Sequence, residues 1–195
     1  MTATLIPERS WALGVSERQA LIPLHVSTRY ELAAWEQANI ARALAWLDQR
    51  PRRGSVLTSR FLRDLHKCMF GETWEHAGRY RRAKLGAGVP AWTVSTRVED
   101  VIAKARGWIQ GTSYPPDEIC IRFHHRISQL QPFERGNGRV TRLIADALMT
   151  ELGQAPFTWG SRTRLPAAEL ADRYLAALRI ADHDNISVLL EFARS

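Results

Sequence analysis

The amino-acid sequence predicts an all-α domain with one short β-hairpin. Apolar residues recur at helical spacing along most of the 195 residues, whereas alternating runs of β-branched residues are scarce. The exception is the stretch 80–95, where Gly86, Gly88 and Pro90 disfavour a helix and the flanking residues could pair as a hairpin. An apolar content of 45% is enough to bury a core in a single domain.

Seven helices are expected after an irregular N-terminal arm at residues 1–26, within a domain that spans 27–195. Their approximate ranges are 29–49, a segment after Ser55 that runs to Phe70, 97–110, 115–130, 139–152, 166–182 and 186–194. Helical spacing predicts these inward-facing residues: Leu32, Trp35, Ile40, Leu44 and Leu47 in the first helix, Ile119, Phe123, Ile127 and Leu130 in the fourth, and Val140, Leu143, Ile144, Ala147 and Leu148 in the fifth. Gly153 is the expected C-cap of the fifth helix.

Composition restricts the choice of environment and partner. A formal net charge of +7 favours an anionic partner, but the arginines are spread along the chain, so nucleic-acid binding is the weaker interpretation. The sequence contains no run of 18 apolar residues and no signal-peptide pattern at its start, which predicts a cytoplasmic protein without a membrane partner. Cys68 and Cys120 lie on different predicted helices and are expected to be reduced, buried thiols.

The loop between the fourth and fifth helices has the features of an anion site. Gly136 and Gly138 immediately precede a helix, where backbone N–H groups and the helix dipole attract negative charge. Asn137 tolerates unusual backbone angles and supplies an amide donor, and Arg139 and Arg142 are three residues apart on one helix face. Glycine-rich turns also occur before helices without any ligand, and this loop matches neither a Walker loop nor a dinucleotide fingerprint.

The segment "QPFERGNGRVTR", residues 131–142, resembles the Fic (filamentation induced by cAMP) signature HxFx(D/E)GNGRxxR. "WEHAGRYR" at 74–81 is similar to the W-A-G-x-Y-R segment of the same family, and the flanking segments most resemble its bacterial subgroup called mobile mystery protein B. The resemblance implies a Fic-type helical bundle with a flap at about 82–95. It also implies a protein adenylyltransferase that uses ATP, and a helix-turn-helix protein encoded nearby.

The same resemblance implies a role for each matching residue. Gly136, Asn137 and Gly138 would hold the α- and β-phosphates of ATP, and Arg139 and Arg142 would hold the phosphate chain. From the residues alone, Phe133 with Pro132 is expected to anchor this nucleotide-binding loop into the core. The flap would align a target segment by backbone pairing.

Two positions depart from the signature. Gln131 stands where the family has the histidine that acts as general base, and an amide has no usable pKa near neutrality. Arg135 stands where the family has the acidic residue that holds Mg²⁺, with Glu134 one place earlier. We therefore expect weak or absent AMP transfer and a doubtful role for Mg²⁺. His124 and His125 lie about 10 Å away along the preceding helix and are interpreted as structural.

Glu31 has two competing interpretations. In many Fic proteins a glutamate in an [S/T]xxxE[G/N] helix pairs with the second arginine of the motif and inhibits it, and Ser27 and Glu31 have that spacing. Leu32, however, replaces the Gly or Asn of that pattern. A capping box formed by Thr28 and Glu31 is the favoured alternative.

Three functional hypotheses follow. The first is a Fic-type nucleotide-binding protein that descends from AMP transferases, with Gln131 at the catalytic position. The second is a non-catalytic module that holds a nucleotide or a partner peptide. The third is a basic, nucleic-acid-associated protein of a mobile element.

Overall fold

The structure is a computed structural model that describes residues 13–49, 56–83 and 89–195. These residues form eight α-helices and no strand longer than an isolated bridge. The helices are α1 (Val15–Ala20), α2 (Arg29–Asp48), α3 (Ser59–Phe70), α4 (Val94–Gln110), α5 (Pro116–Leu130), α6 (Asn137–Glu151), α7 (Ala167–Ala181) and α8 (Ser187–Arg194). The all-α prediction is confirmed, and the chain divides into two compact units, Met1–Arg50 with Arg63–Arg79 and Pro51–Leu62 with Tyr80–Ser195.

Helix α5 is the centre of the second unit. It packs against α4, α6 and α8, and residues on all its sides are buried. Pro116 occupies its first turn, where a missing N–H costs nothing, and Asp117 and Glu118 complement the dipole there. The four predicted core positions Ile119, Phe123, Ile127 and Leu130 are all buried. The C-terminal end of α5 is therefore a rigid point from which the next loop starts.

Helix α6 follows that loop and buries Val140, Ile144 and Leu148 as predicted, whereas Leu143 and Ala147 are only half-buried. Its C-cap is Leu152, one residue before the expected Gly153, and Gly153 follows with a left-handed φ of 74°.

In the first unit, the buried face of α2 differs from the predicted one. Leu32 is buried as expected, but the other buried positions are Glu36, Asn39 and Ala43, and Leu44 is 46% exposed. The buried side chains of Glu36 and Asn39 form hydrogen bonds with residues elsewhere in the unit. The indole N–H of Trp74 donates to Glu36 at 2.8 Å, and the amide of Asn39 donates to Thr73 at 3.0 Å. No local pattern reveals those partners, so the sequence predicts a buried face that is rotated about the helix axis from the observed one.

The N-terminal arm is more ordered than predicted. Residues Val15–Ala20 form α1, and the carboxylate of Glu17 accepts the N–H of Gly14 at 2.8 Å. Leu21 forms an antiparallel bridge with Trp74, and the N–H of Ile22 donates to the carbonyl of Thr73. Backbone pairing with a distant segment therefore orders this part of the arm. Residues 1–12 lie outside the described residues.

The predicted hairpin is wrong at its C-terminal end. Residues Ala91–Thr93 form a 3₁₀ turn, and α4 already begins at Val94. The N–H and the hydroxyl of Thr93 both donate to the carbonyl of Pro90. Pro90 fits this arrangement because it can precede a helix but cannot interrupt one. Residues 84–88 of the predicted flap lie outside the described residues.

Cys120 is buried as predicted, and burial raises the pKa of its thiol, whereas Cys68 is only half-buried. Within the described ranges, none of the helices is both long and apolar enough to cross a membrane.

Candidate phosphate site at the start of helix 6

The loop begins at Gln131, which is the C-cap of α5. Its φ of 44° and ψ of 63° are left-handed, and its N–H donates to the carbonyl of Ser128 at 3.2 Å. Such a conformation costs a non-glycine residue on the order of 1–3 kcal/mol and persists only where the surroundings enforce it. The side chain is exposed. The structure therefore holds Gln131 in a strained conformation, with its side chain accessible.

Asn137 closes the loop internally. Its Oδ1 accepts the N–H of Phe133 at 2.9 Å, and its Nδ2 donates to the carbonyl of Phe133 at 2.7 Å. The Phe133 ring is fully buried and lies 5.6 Å from the ring of Tyr80, which confirms its predicted anchoring position. The amide predicted as a phosphate donor thus gives a hydrogen bond to the loop itself, and Asn137 contributes mainly by shaping the loop.

The start of α6 presents backbone donors. Gly136 is the N-cap with a φ of 74°, and its carbonyl accepts the N–H groups of Arg139 and Val140. The N–H groups of Asn137 and Gly138 have no acceptor among the described residues. Among the described residues, an added Cβ at Gly138 would meet only Tyr174, at an ordinary 3.8 Å. Packing within the chain therefore does not require a glycine at 138, although the close approach of a ligand would.

The second arginine of the motif rests on an aromatic ring. The guanidinium of Arg142 lies 4.8 Å from the centre of the Tyr174 ring, in cation–π contact. The hydroxyl of Tyr174 forms a hydrogen bond with Nε2 of His124 at 3.2 Å, and burial raises the Tyr174 pKa. Arg139 is half-buried in the first turn of α6. Both predicted arginines therefore lie within the first two turns after Gly136.

His124 and His125 are buried structural residues, as predicted. Desolvation lowers the pKa of the fully buried His124 to about 3, so the ring is neutral at physiological pH. His125 pairs with Asp182 at 2.8 Å, and Asp182 also accepts the side-chain amide of Gln129 at 2.8 Å. Both rings are thus bonded to other side chains, His124 to Tyr174 and His125 to Asp182.

The described side chains near the loop include few that could bind a metal ion. Arg135 is half-buried and offers donors only, Glu134 is exposed, and the described residues contain no group of three His, Cys, Asp or Glu that could hold a metal ion. Mg²⁺ can bind through substrate phosphates, water and one or two carboxylates, of which this loop supplies only Glu134.

Glu31 forms the capping box at the start of α2. One carboxylate oxygen accepts the N–H groups of Ser27 and Thr28, at 2.8 and 3.0 Å, and the hydroxyl of Thr28 accepts the N–H of Glu31. Hydrogen bonds from these two residues lower the pKa of Glu31 to about 2. The favoured interpretation is confirmed, and an inhibitory role for Glu31 stays a prediction.

Sequence reasoning missed two side chains that organise this site, Arg81 and Tyr174. Arg81 ends the segment "WEHAGRYR", and Tyr174 begins "YLAALRIAD". The resemblance of those segments to the family was the only signal, and it carried no information about which side chains reach the loop.

A family comparison agrees with the loop and helices described above. Residues 56–149, which include the loop and most of α3–α6, match the model of the Fic/DOC family. This chain contains a Fic/DOC domain. The mobile mystery protein B subgroup is a finer assignment that this match does not address.

Solved Fic structures share the fold of this chain. A Fic-1 fragment from C. elegans is 21% identical with a TM-score of 0.68 over 92% of this chain, which spans only 52% of that fragment. The N-terminal Fic domain of a Bep effector from Bartonella quintana, solved with bound ADP, is 16% identical with a TM-score of 0.69 over 97% of this chain and 92% of that one. BepC from Bartonella tribocorum, with bound AMPPNP, is 14% identical with a TM-score of 0.67 over 93% and 97%.

Proposed function

We propose that this chain binds the phosphates of ATP or a related nucleotide at the start of α6, and that it descends from protein adenylyltransferases. The observation that carries the proposal is Gly138. It follows a left-handed Gly136, its N–H has no acceptor among the described residues, and packing within the chain does not require its lack of a side chain. The nucleotides bound to the Bartonella Fic domains lend support.

Electrostatics supports the same site. The positive end of the α6 dipole coincides with the two N–H groups, and Arg139 and Arg142 add formal charge within the next turns. The contact with Tyr174 limits the rotamers of Arg142, so less side-chain entropy is lost when a phosphate binds. Phosphate binding thus depends on groups that the departures at Gln131 and Arg135 leave in place.

The transfer chemistry should be slow or absent in this chain. In AMP transfer, a Ser, Thr or Tyr hydroxyl oxygen attacks the α-phosphorus, the bond from that phosphorus to the bridging oxygen breaks, and pyrophosphate leaves. The hydroxyl proton must pass to a base, which a side-chain amide cannot provide. A guanidinium at Arg135 can neutralise phosphate charge, but it cannot bind Mg²⁺. We infer that nucleotide binding survives with at most a weak dependence on Mg²⁺.

A non-catalytic nucleotide-binding or peptide-binding module is the second candidate, and the exposed amide at Gln131 favours it. Incubation with α-labelled ATP separates the two candidates, because only a transferase leaves label on protein. A nucleic-acid partner is the weakest option, because the positive charges are spread along the chain. A DNA affinity that falls steeply with salt concentration would instead favour it. The subgroup assignment and a helix-turn-helix partner belong to the same proposal and rest on sequence resemblance alone.

Substitution of Gly138 tests the phosphate site directly. Gly138→Ala should weaken ATP or ADP binding at least about tenfold in calorimetry, because the added methyl group occupies the space of the ligand, and Gly138→Val should weaken it further. Stability should not fall in the alanine variant, since alanine favours a helix by up to about 1 kcal/mol over glycine.

Gly107→Ala is the matched control. Gly107 is an exposed helical glycine in α4 with no atom near the added Cβ, so this variant should gain comparable stability and keep full nucleotide affinity. Equal affinity in wild type, Gly138→Ala and Gly138→Val would refute the phosphate site.

A further inference from the structure

Arg81 is a buried arginine that reaches the end of α5, and only 2% of the residue is exposed. Nε donates to the carbonyl of Gln131 at 2.7 Å, and Nη2 donates to the carbonyl of Leu130 at 3.2 Å. The backbone N–H of Arg81 also donates to the carbonyl of Pro132 at 2.9 Å. One residue therefore binds three consecutive carbonyls where α5 ends and the loop begins.

The same guanidinium also binds the chain on both sides of residues 84–88. Nη1 donates to the carbonyl of Ala83 at 2.9 Å, and Nη2 donates to the carbonyl of Val89 at 2.6 Å. All four of these side-chain acceptors are backbone oxygens. A planar fork with five N–H donors can satisfy such a set at once, whereas the three donors of a lysine radiate from a single atom.

These contacts suit a residue that enforces conformation. The C-terminal carbonyls of α5 carry the negative end of its dipole, which favours a guanidinium there. Gln131 is left-handed although it has a side chain, and such strain requires surrounding contacts that determine it. The bond from Arg81 to the carbonyl of Gln131 is the shortest described contact of the Gln131 backbone.

We propose that Arg81 is a positioning residue. It holds residue 131 in its left-handed conformation and holds the backbone at Ala83 and Val89 to the same point. The side chain of residue 131 and the backbone at Ala83 and Val89 thereby keep fixed positions relative to one another. This inference rests on the proposed function, because these relative positions matter for transfer only if a target segment must meet residue 131.

The loop that binds phosphate does not depend on Arg81 in the same way. Asn137 holds Phe133 through two hydrogen bonds, and Gly136 caps α6, without any contact to the guanidinium. Loss of Arg81 should therefore affect transfer much more than nucleotide affinity. A residue needed only for folding would instead affect both together.

The test uses Arg81→Lys and Arg81→Met in a chain that also carries Gln131→His and Arg135→Glu, with Arg97→Met as control. Arg97 is an exposed arginine of α4 outside the site. We expect ATP affinity to stay within about twofold of the parent. Self-labelling by α-labelled ATP should fall about 100-fold in both Arg81 variants, as misplacement by about 1 Å can cause. Joint loss of affinity, labelling and melting temperature would refute the proposal and leave Arg81 a structural residue.

A second readout does not depend on activity. The Cα chemical shift of residue 131 reports its backbone conformation, and Arg81→Lys should move it away from the left-handed value while amide exchange at Ile144 in α6 stays slow. An unchanged shift would overturn the proposal. If the parent itself transfers no AMP, the proposed chemistry fails, and the chemical shift alone decides the role of Arg81.

Discussion

At the residue scale, Gln131 and Arg135 are not equivalent departures from the Fic signature. Gln131 is held left-handed with an exposed side chain, so a histidine at this position would project into solvent beside the loop. Arg135 is half-buried and would change the charge beside the proposed phosphate site. Under the proposed function, Gln131 would cost the chain proton transfer, which typically contributes about 10²- to 10⁴-fold. Arg135 would cost it a ligand for Mg²⁺, and a metal ion cannot by itself deprotonate a hydroxyl that lacks a base.

We therefore predict that Gln131→His restores more AMP transfer than Arg135→Glu. The single Arg135→Glu variant should remain close to wild type, and the double variant should exceed the product of the single gains, because an aligned phosphate and an activated hydroxyl depend on each other. Self-labelling and lysate labelling by α-labelled ATP, compared across the four forms, measure these gains. Strong wild-type labelling that Gln131→His does not change would show that position 131 is not the missing base.

At the element scale, the loop between α5 and α6 is held at both ends by different devices. Arg81 binds the three carbonyls at its start, and the side chain of Asn137 binds both backbone groups of Phe133. The Phe133 ring below it is fully buried. The protein's own side chains thus fix the loop conformation, which reduces the entropy that binding would cost.

Asn137→Asp and Asn137→Ala should separate loop order from charge. The aspartate would place a carboxylate oxygen against the Phe133 carbonyl, and alanine would remove both bonds, so each should lower the free energy of unfolding by about 1–3 kcal/mol. ATP affinity should fall at least about tenfold in each, since the donors lose their alignment. Denaturant unfolding and calorimetry measure the two effects. Asn185→Ala is the control, because it removes two hydrogen bonds from Ser187 at the start of α8 and should lower stability without changing ATP affinity. Full ATP affinity in Asn137→Ala would contradict this role.

At the scale of the whole molecule, the buried His124 and the half-buried Asp146 in the second unit make stability depend on pH in opposite directions. Burial lowers the pKa of His124 to about 3. Burial raises the pKa of Asp146 to about 6, although its carboxylate accepts hydrogen bonds from the Trp159 indole and the Phe157 N–H. As pH falls from about 6.5, the unfolded chain gains a proton on His124 that the folded chain does not accept until about pH 3. Stability due to His124 is therefore lost through that window.

The contribution of Asp146 to stability changes with pH in the opposite direction. Its folded form takes up a proton near pH 6 and its unfolded form near 3.8, so acidification through that range adds stability. The wild-type profile should consequently be flatter than that of either variant. As the pH falls from about 6 to about 4, Asp146→Asn should lose stability, by up to about 1.4 kcal/mol per pH unit, while His124→Phe should gain it. Denaturant unfolding of the three proteins across this range measures the slopes, and three identical slopes would contradict both assignments.

The positions of most helices, the family and the phosphate loop follow from the local sequence. Helical spacing, proline at the start of α5 and glycine after α6 are features of neighbouring residues, so the bounds of α2 and α5 were predicted to within one residue. The loop is likewise recognisable from a signature that lies within one continuous segment, residues 131–142.

Only the tertiary structure decided which side chains meet. The buried face of α2 depends on Thr73 and Trp74, and the conformation of Gln131 depends on Arg81, which is distant in the sequence. The protonation of His124 depends on burial from several elements. Hydrogen bonds and desolvation arise between residues that folding brings together, and a pattern within one segment cannot specify the partner that another segment supplies.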